Sequence, residues 1–286
     1  MISIHIIAFH KFPQTLKCME SIRRSLSREY EVILVENGSA NEKQRETFRT
    51  LSREWPEMKL VNLDTPRHCP WVRSRVLDHA TGEHIFFLDN DCYLEEDIFG
   101  PLLDLLANNP DVGGVAPALL YHPSRTLQCL GITLQMNGNG TFHPLHMCHD
   151  EPWEIHRYAA PFVSEFIPGG CSLFSRKFLR ECRYDRDLKN VMGDYDLCLQ
   201  GRDKGYRYMF HPGLKVLHDK TSNQEGYLEA KAGLTDWLGG VRRFHDKWGL
   251  LYYVYPEYEL GRIELLLGQF PRWKPRESWP QNLEAK

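Results

Sequence analysis

The sequence predicts an α/β protein with a mostly parallel central sheet and flanking helices. Strand-like and helix-like segments alternate through the first part of the chain, the order that builds a parallel sheet with right-handed crossovers. Residues 85–88 are apolar without interruption and are followed directly by three polar residues, as in a strand buried on both faces. The carboxyl end of such a strand is where an open α/β sheet binds its ligands.

The composition indicates a soluble globular chain with one large domain, or one domain and an appendage. The chain has 286 residues, of which 42% are hydrophobic and 26% charged, and its formal net charge is −3. This charge argues against a nucleic-acid partner. The amino-terminal residues predict a first strand and not a signal peptide, and no apolar run is long enough to span a bilayer. The eight cysteines show no C-x-x-C pair, so we expect a cytoplasmic protein with reduced thiols.

Local signals give the predicted elements in order. In the first part, strands are predicted at residues 2–9, 31–35, 59–63 and 85–88, and helices at residues 14–28, 41–55 and 71–80. In the second part, helices are predicted at residues 98–108, 175–181 and 195–204, and strands at residues 112–120, 206–210 and 215–218, with a further short strand after a glycine turn within residues 166–174. The remainder, from Thr221, predicts helix with many aromatic residues. Asn37-Gly38 is a strong turn signal after the second strand because both residues tolerate positive φ.

Two carboxylates, Asp89 and Asp91, follow the central strand. They would repel each other unless a cation lay between them, although Asp and Asn also favour ordinary turns. Hard oxygen ligands suit Mn²⁺ or Mg²⁺, ions that commonly bind substrate phosphates. After the first strand, Ala8-Phe9-His10-Lys11 stands in place of the glycine-rich turn of a dinucleotide site. The phosphates would therefore be held by a metal at Asp89 and Asp91, with help from Arg73.

The order of short motifs resembles that of the family 2 glycosyltransferases, which have the GT-A (nucleotide-diphospho-sugar transferase) fold. The matching motifs are Glu36-Asn37-Gly38-Ser39, Val72-Arg73-Ser74, Ala80-Thr81-Gly82-Glu83, Asp89-Asn90-Asp91, Gly169-Gly170, Gly193-Asp194-Tyr195-Asp196, Gly205-Tyr206, a strand ending at His218, and the Lys247-Trp248-Gly249 segment. The chain departs from the family pattern at three places. The family usually has Asp at the position of Glu36 and a second acid at the position of Gly193. Of the family's Ala-Arg-Asn triplet, only the arginine, Arg73, is present.

The resemblance implies a GT-A domain over residues 1–220 and a helical, aromatic-rich extension over residues 221–286. Within the domain, residues 1–92 would form the nucleotide-binding half and residues 93–220 the acceptor half. The extension either packs its aromatic residues on the core or on a second copy, or offers a surface for a sugar, a lipid-linked acceptor or a partner subunit. A surface that binds a lipid-linked acceptor would place the protein at the inner face of the membrane.

The resemblance also implies which residues bind the nucleotide and the metal. Nucleotide contacts would come from Ala8, His10, Glu36, Asn37, Ser39, Arg73, Asp89 and Asn90. Glu36 would accept a hydrogen bond from an imide N–H, such as that of uracil. Asp91 and His218 would ligate the metal, and Asp89 would face the ribose or reach the metal through water.

The remaining role is that of the general base, which takes a proton from the acceptor hydroxyl. Asp194 is the candidate because it opens a helix, where the dipole favours a carboxylate. Asp196 is the alternative, although a residue two positions further along a helix points elsewhere. A base on the face opposite the leaving diphosphate implies inversion at the anomeric carbon.

These roles predict a metal-dependent, inverting glycosyltransferase that uses a nucleotide-sugar, expected to be a UDP-sugar. The acceptor would be a glycan, a lipid carrier, a small molecule or a protein side chain. A retaining enzyme on the same fold, a nucleotidyltransferase and a non-catalytic sugar-binding module are the alternatives. A separate zinc site at His143, His146, Cys148 and His149 has suitable ligands, but its spacing is not that of a standard finger, and we expect a flexible acceptor-side loop there.

Overall fold

The computed structural model describes residues 1–136, 141–190, 192–219 and 227–252. The strands in this part of the chain are β1 (Ile2–Ala8), β2 (Tyr30–Glu36), β3 (Met58–Asn62), β4 (His84–Asp89), β5 (Cys92–Tyr93), β6 (Val112–Tyr121), β7 (Leu127–Cys129), β8 (Ile132–Met136), β9 (Thr141–His146), β10 (Phe162–Ser164), β11 (Cys171–Ser175), β12 (Arg207–His218) and β13 (Leu251–Tyr252). The helices are α1 (Phe12–Ser25), α2 (Glu42–Glu54), α3 (Cys69–Arg73), α4 (Phe99–Asn108), α5 (Trp153–His156), α6 (Arg176–Glu181), α7 (Gly193–Asp203), α8 (Tyr227–Gly233) and α9 (Trp237–Trp248).

One large sheet organises the molecule, with the strand order β10-β12-β6-β11-β4-β1-β2-β3. The strands β4, β1, β2 and β3 are mutually parallel, and β12 runs parallel to β6. Strand β11 is antiparallel to both of its neighbours, β4 and β6, so β6 and β12 point in the same direction as β4. The carboxyl ends of β1, β2, β4 and β12 therefore lie along one edge of the sheet. The predicted α/β class and the mostly parallel sheet are confirmed.

The sheet core forms around its central strand β4, which is apolar on both faces. Residues Ile85, Phe86, Phe87 and Leu88 of β4 are at most 1% exposed, as expected of a strand covered by helices on both sides. Helix α1 buries Cys18, Met19 and Ile22 against this sheet, among other residues. Helix α2 begins with a capping box between Asn41 and Gln44, which fixes its start after the turn at the end of β2.

The predicted helix over residues 71–80 is wrong. Helix α3 ends at Arg73, and a single 3-10 turn over Val76–Asp78 follows it. The Ser74 hydroxyl donates a hydrogen bond to the carbonyl of Trp71 at 2.7 Å, a local bond that competes with continuation of the helix.

The two strands predicted at residues 206–210 and 215–218 are one strand, β12. Its register against β6 shifts between His211 and Lys215. This segment contains Pro212 and Gly213, and Pro cannot donate a ladder hydrogen bond, so the interruption appears as a bulge inside a continuous strand.

A second, three-stranded sheet, β13-β9-β8, was not predicted. Strands β8 and β9 pair antiparallel, and β13 joins β9 in parallel from a distant part of the chain. The expectation of a flexible loop at residues 143–149 is corrected, since His143 and His146 lie on β9. The short strand predicted after the Gly169-Gly170 turn is present as β11, which begins at Cys171.

Part of the predicted extension lies outside the described residues. The structure describes residues 227–252 of it, where α8, α9 and β13 occur, whereas residues 220–226 and 253–286 are outside. The aromatic surface predicted over residues 250–273 therefore lies outside the described residues except for residues 250–252. No helix within the described residues is both long enough and apolar enough to cross a bilayer.

Candidate functional site

The predicted metal ligands Asp91 and His218 meet at the edge where the parallel strands end. The distance between Asp91 Oδ1 and His218 Nε2 is 3.3 Å, although strands β4 and β12 are separated in the sheet by β11 and β6. Strand β5 pairs with the last two residues of β12, with His218 opposite Cys92, and this pairing brings the end of β12 beside Asp91. The backbone N–H of Asp219 also donates to the carbonyl of Asp91 at 2.8 Å.

A lysine that the sequence motifs did not indicate contacts the same carboxylate. Lys11 Nζ lies 2.6 Å from Asp91 Oδ2, and both side chains are at most 10% exposed. Burial alone would raise the pKa of Asp91, but the hydrogen bond and charge of His218 and the Lys11 ammonium outweigh it and lower the pKa to about 2. Asp91 is therefore ionised at neutral pH and able to bind a cation.

The orientation of His218 suits metal binding. Its Nδ1 lies 2.7 Å from the Gln128 side-chain oxygen. An amide oxygen only accepts, so Nδ1 donates to it, and Nε2, which faces Asp91, is the ring nitrogen in position to coordinate a metal. Neighbouring ligands of an octahedral ion with bonds of 2.0–2.1 Å lie about 3 Å apart, close to the observed Asp91–His218 separation. An oxygen and an imidazole nitrogen at this spacing fit one Mn²⁺ or Mg²⁺ ion.

Cys92 is near enough to join these two residues, since its sulfur, the Asp91 oxygen and the His218 nitrogen all lie within 4.8 Å of one another. Burial raises the pKa of the Cys92 thiol well above its usual value, so it stays protonated. Hard cations also prefer oxygen to a thiol. Cys92 is therefore a packing residue beside the ligands.

Arg73 connects the predicted metal edge to the predicted base. Its Nη2 donates to Asp89 Oδ1 at 2.9 Å and its Nη1 donates to Asp194 Oδ1 at 3.0 Å. The guanidinium is buried and lies over the rings of Phe87 and Tyr184, at 5.3 Å and 5.6 Å from their centres. A planar, multiply donating group of this kind fixes two carboxylates at once.

The Gly169-Gly170 turn allows these carboxylates to come close to the sheet. A Cβ atom at Gly169 would lie 1.8 Å from Asp194 Oδ1, and one at Gly170 would lie 2.0 Å from Asp89 Oδ2. Any side chain at either position would displace an acid. The Gly170 carbonyl also accepts the backbone N–H of Asp89 at 2.8 Å.

Asp194 lies in the first turn of α7 and is held by one of its two oxygens. Both the Arg73 guanidinium and the Tyr184 hydroxyl donate to Oδ1, each at 3.0 Å. Burial raises the pKa of Tyr184 well above its usual value, so its hydroxyl stays protonated and donates. The side chain of Asp194 is 37% exposed. Within the described chain no hydrogen bond reaches Oδ2, which is the oxygen that a substrate proton could approach.

Asp196, the alternative base, is directed into the protein. It is fully buried, and Lys247 Nζ at 2.6 Å and Trp248 Nε1 at 2.8 Å both contact its Oδ1. Gln200 Nε2 donates to Oδ2 at 2.8 Å. Burial raises the pKa of Asp196, while these partners lower it. The residue thus anchors α7 to the Lys247-Trp248 segment of α9 and is not accessible to a substrate.

Glu36 is fully buried at the end of β2 and holds its own turn. Its Oε1 accepts the backbone N–H groups of Ser39 and Ala40 at 2.8 Å and 2.9 Å. Its Oε2 is buried without a hydrogen bond and lies 3.4 Å from Arg45 Nε. Contact of Glu36 with a nucleotide base stays a prediction. Oε2 accepts no hydrogen bond, although it pairs with Arg45, and it is the oxygen that would make such a contact.

Other predicted nucleotide contacts line a neighbouring cavity. Ala8, His10 and Ser39 face a cavity of about 220 Å³, whose wall also includes the rings of Phe12 and Phe48. The His10 backbone N–H donates to the Ser39 hydroxyl at 2.8 Å, which ties the loop after β1 to the loop after β2.

The two asparagines that were predicted to contact the nucleotide form hydrogen bonds that hold the loops around this edge. Asn37 binds the backbone of Arg67, donating to its carbonyl at 2.8 Å and accepting its N–H at 2.9 Å. Asn90 donates to the Thr15 hydroxyl at 2.8 Å and to the His10 carbonyl at 3.3 Å. Both amides are therefore occupied by the protein, and their contact with a nucleotide stays a prediction.

The four residues considered for zinc do not form a cluster among the described residues. The group that comes together in this region is Cys148, Glu151 and His156, and His156 Nε2 is already 2.6 Å from Glu151 Oε2. His149 instead contacts the hydroxyl of Tyr121 at 2.9 Å.

Sequence reasoning missed Lys11, Gln128 and Tyr184. Lys11 carried one usable signal, because it follows the carboxyl end of β1, where ligands bind. Gln128 and Tyr184 carried no local signal, since their partners lie 90 and 10 residues away and neither belongs to a motif.

The fold and the acidic edge of its sheet define the class of protein. The fold is that of the GT-A glycosyltransferases. The family model for glycosyl transferase family 2 matches residues 3–183, and the chain belongs to this family.

Similar solved structures share the fold at low sequence identity. GalNAc-T7 with UDP, GalNAc and Mn²⁺ matches 97% of this chain and 59% of its own, with a TM-score of 0.62 and 14% identity. The mannosyltransferase PcManGT of Pyrobaculum calidifontis with GDP-Man and Mn²⁺ matches 80% of this chain and 59% of its own, with a TM-score of 0.54 and 18% identity. S. aureus TarS 1–349 with UDP-GlcNAc matches 78% of this chain and 59% of its own, with a TM-score of 0.55 and 13% identity.

Two curated relatives are much longer proteins. The O-antigen biosynthesis protein RfbC of Myxococcus xanthus is 24% identical over 82% of this chain and 19% of its own length. The uncharacterized protein y4gI of Sinorhizobium fredii (strain NBRC 101917 / NGR234) is 21% identical over 87% of this chain and 28% of its own length. The chain thus spans less than a third of either relative.

Proposed function

We propose that this protein is a metal-dependent, inverting glycosyltransferase that moves a sugar from a UDP-sugar to an acceptor hydroxyl. The observation that carries the proposal is the Arg73 guanidinium, which donates to both Asp89 and Asp194. It joins the acidic edge after β4, where donors bind in this fold class, to the first turn of α7. The donor's leaving group and the acceptor's base are thereby held a fixed distance apart.

The donor's diphosphate is bound at the Asp91–His218 pair. Asp91 and His218 would hold Mn²⁺ or Mg²⁺, which when bound would supply Lewis-acid stabilisation of the negative charge on the departing diphosphate. Gln128 keeps the His218 ring in the orientation that presents Nε2. Arg73 keeps Asp89 turned toward the same edge and adds a fixed positive charge near the phosphates.

Asp194 takes the proton of the acceptor hydroxyl as that oxygen attacks the anomeric carbon. The hydrogen bonds from Arg73 and Tyr184 to Oδ1 fix the orientation of the carboxylate, and the other oxygen, Oδ2, receives the proton. Attack from the side of Asp194, opposite the diphosphate, inverts the anomeric configuration.

Uracil is the proposed base because one buried oxygen of the Glu36 carboxylate accepts no hydrogen bond from the protein and could accept the imide N–H of uracil. Similar structures were solved with UDP, with UDP-GlcNAc and with GDP-Man, which supports a nucleotide-sugar donor more firmly than the base. The name of the relative RfbC, an O-antigen biosynthesis protein, supports a glycan among the acceptor classes.

The test is donor hydrolysis, which requires no acceptor. Purified protein with Mn²⁺ is incubated with a panel of UDP-, GDP- and dTDP-sugars, and release of the nucleoside diphosphate is measured. For a UDP-sugar that is turned over, Asp194→Asn should lower the rate by at least about a hundredfold, the usual contribution of a general base. Its affinity for UDP should stay unchanged.

Asp104→Asn is the matched control, because Asp104 is an exposed acid on α4 away from the site. If Asp194→Asn and Asp104→Asn hydrolyse the donor equally fast, the base is another residue. If no nucleotide-sugar is hydrolysed and Mn²⁺ does not change UDP affinity, the chain is a binding module and the proposed activity is wrong. Retained anomeric configuration in the product would contradict inversion.

A further inference from the structure

Lys11 is held firmly beside the metal ligands by the loop after β1. Both His10 and Lys11 have left-handed backbone conformations, with φ of 52° and 50°, which residues with a side chain adopt only at a cost. The Thr15 N–H and hydroxyl both donate to the Lys11 carbonyl, at 2.9 Å and 3.0 Å, and hold this conformation. The result is a lysine at the start of α1 whose side chain runs inward, to Asp91.

The Lys11 ammonium has two neighbours within the described residues. It lies 2.6 Å from Asp91 Oδ2, and it lies over the ring of Tyr227 on α8, 4.5 Å from its centre. The side chain is only 10% exposed. A buried lysine of this kind loses the hydration of its charge, so its ion pair with Asp91 must compensate.

Asp91 thus faces two partners with its two oxygens. Oδ1 faces His218 Nε2, the nitrogen that fits a metal, and Oδ2 faces the ammonium. A second cation on the same carboxylate is repelled by the first. For a double and a unit charge about 5 Å apart, Coulomb's law in bulk water amounts to roughly tenfold in a binding constant, which is a lower bound for charges as buried as these.

We propose that Lys11 is a built-in counter-cation that competes with the divalent ion for Asp91 and is relieved by the diphosphate of the donor. The inference rests on the proposed function, because the diphosphate is the anion that accepts the ammonium N–H groups. An ammonium has three donors and a flexible stem, so it can contact phosphate oxygens while the cation takes Asp91. Metal and donor then bind cooperatively, and the metal alone binds weakly.

The test measures Mn²⁺ binding to the full chain by the loss of the free Mn²⁺ EPR signal, with and without saturating UDP. Lys11→Met should bind Mn²⁺ alone about tenfold more tightly than the unaltered protein, and Lys11→Gln should do the same while keeping a neutral donor to Asp91. Lys11→Arg keeps the charge and should bind as the unaltered protein does. UDP should tighten Mn²⁺ binding at least about tenfold in the unaltered protein and clearly less in Lys11→Met.

Lys17→Met is the matched control. Lys17 is a lysine of the same helix that lies 3.1 Å from His122 and over the ring of Tyr93, and it has no contact with Asp91. Its loss should leave Mn²⁺ affinity unchanged. Thermal unfolding of each variant confirms that the proteins compared are folded.

The outcomes separate this inference from the proposed function. If Lys11→Met and Lys11→Gln bind Mn²⁺ no more tightly than Lys17→Met, or more weakly, Lys11 does not compete for Asp91 and the inference is wrong, whereas Mn²⁺-linked UDP binding leaves the proposed function standing. If neither the unaltered protein nor any variant binds Mn²⁺ with or without UDP, both are wrong.

Discussion

Lys247→Met should destabilise the fold because it leaves a buried carboxylate without its cation. Asp196 is fully buried, and the Lys247 ammonium lies 2.6 Å from its Oδ1. Breaking a buried ion pair by removing one partner costs about 3–5 kcal/mol. Lys247 is 32% exposed and Trp248 and Gln200 still donate to Asp196 in the variant, so we expect a loss of about 2 kcal/mol.

The measurement is urea unfolding followed by circular dichroism, at neutral pH and at pH 3. The pKa of Asp196 is raised in the folded protein, so its ionisation lowers the free energy of unfolding at pH values above this folded-state pKa. At pH values below its unfolded-state pKa of about 3.9, the carboxyl group is protonated in both states and this loss of stability is absent. Because Lys247→Met raises the folded pKa further, the difference between the variant and the parent should shrink as the pH falls to 3.

Lys189→Met is the control, since Lys189 pairs with Asp236 at 3.3 Å and both side chains are nearly half exposed. Exposed pairs contribute about 0–1 kcal/mol. If Lys247→Met costs no more than Lys189→Met, or if its cost is the same at both pH values, then Asp196 does not depend on Lys247 and the account of how α9 supports α7 is wrong.

Two further predictions concern Arg73 at the candidate site and Glu31 near the amino-terminal end of β2. Arg73→Lys keeps the charge but loses the rigid planar fork that reaches Asp89 and Asp194 from two separate nitrogens, so donor hydrolysis should fall about tenfold or more. Arg75→Lys, at a half-exposed pair with Asp78, should hydrolyse at the parent rate. Burial raises the pKa of Glu31, but hydrogen bonds from Lys59, Ser3 and Thr81 outweigh this and lower it to about 2. The stability from these bonds is therefore present above the unfolded pKa of about 4.3 and is lost as the pH falls toward 2. Acid unfolding curves should show this loss in the parent and a smaller slope in Glu31→Gln; equal slopes would contradict it.

The first half of the fold was predictable because its signals are local. Strands β2 and β4 are runs of apolar residues that end in turn-forming polar residues, and the turn at Asn37-Gly38 follows from two adjacent residues. The order of the acidic motifs then predicted which strand ends would meet. The structure brings Asp91 to His218, and Arg73 joins Asp89 to Asp194.

The rest depended on contacts between distant residues, which single-sequence patterns do not contain. Lys11 and Asp91 are 80 residues apart, and Asp196 and Trp248 are 52 apart. Strands β8 and β9 carry Thr, Gln and His between their apolar residues, so they resembled a polar loop until their pairing was known.

The small sheet has a consequence for how the protein is made. Strand β9 pairs on one side with its neighbour β8, and among the described residues its other edge pairs, at Thr141 and Phe142, with β13, more than a hundred residues later. On the ribosome, that edge stays open until nearly all of the residues described have been synthesised. An open strand edge is a template for pairing with other chains, so the nascent protein is most exposed to misassembly in the interval before residue 252 emerges.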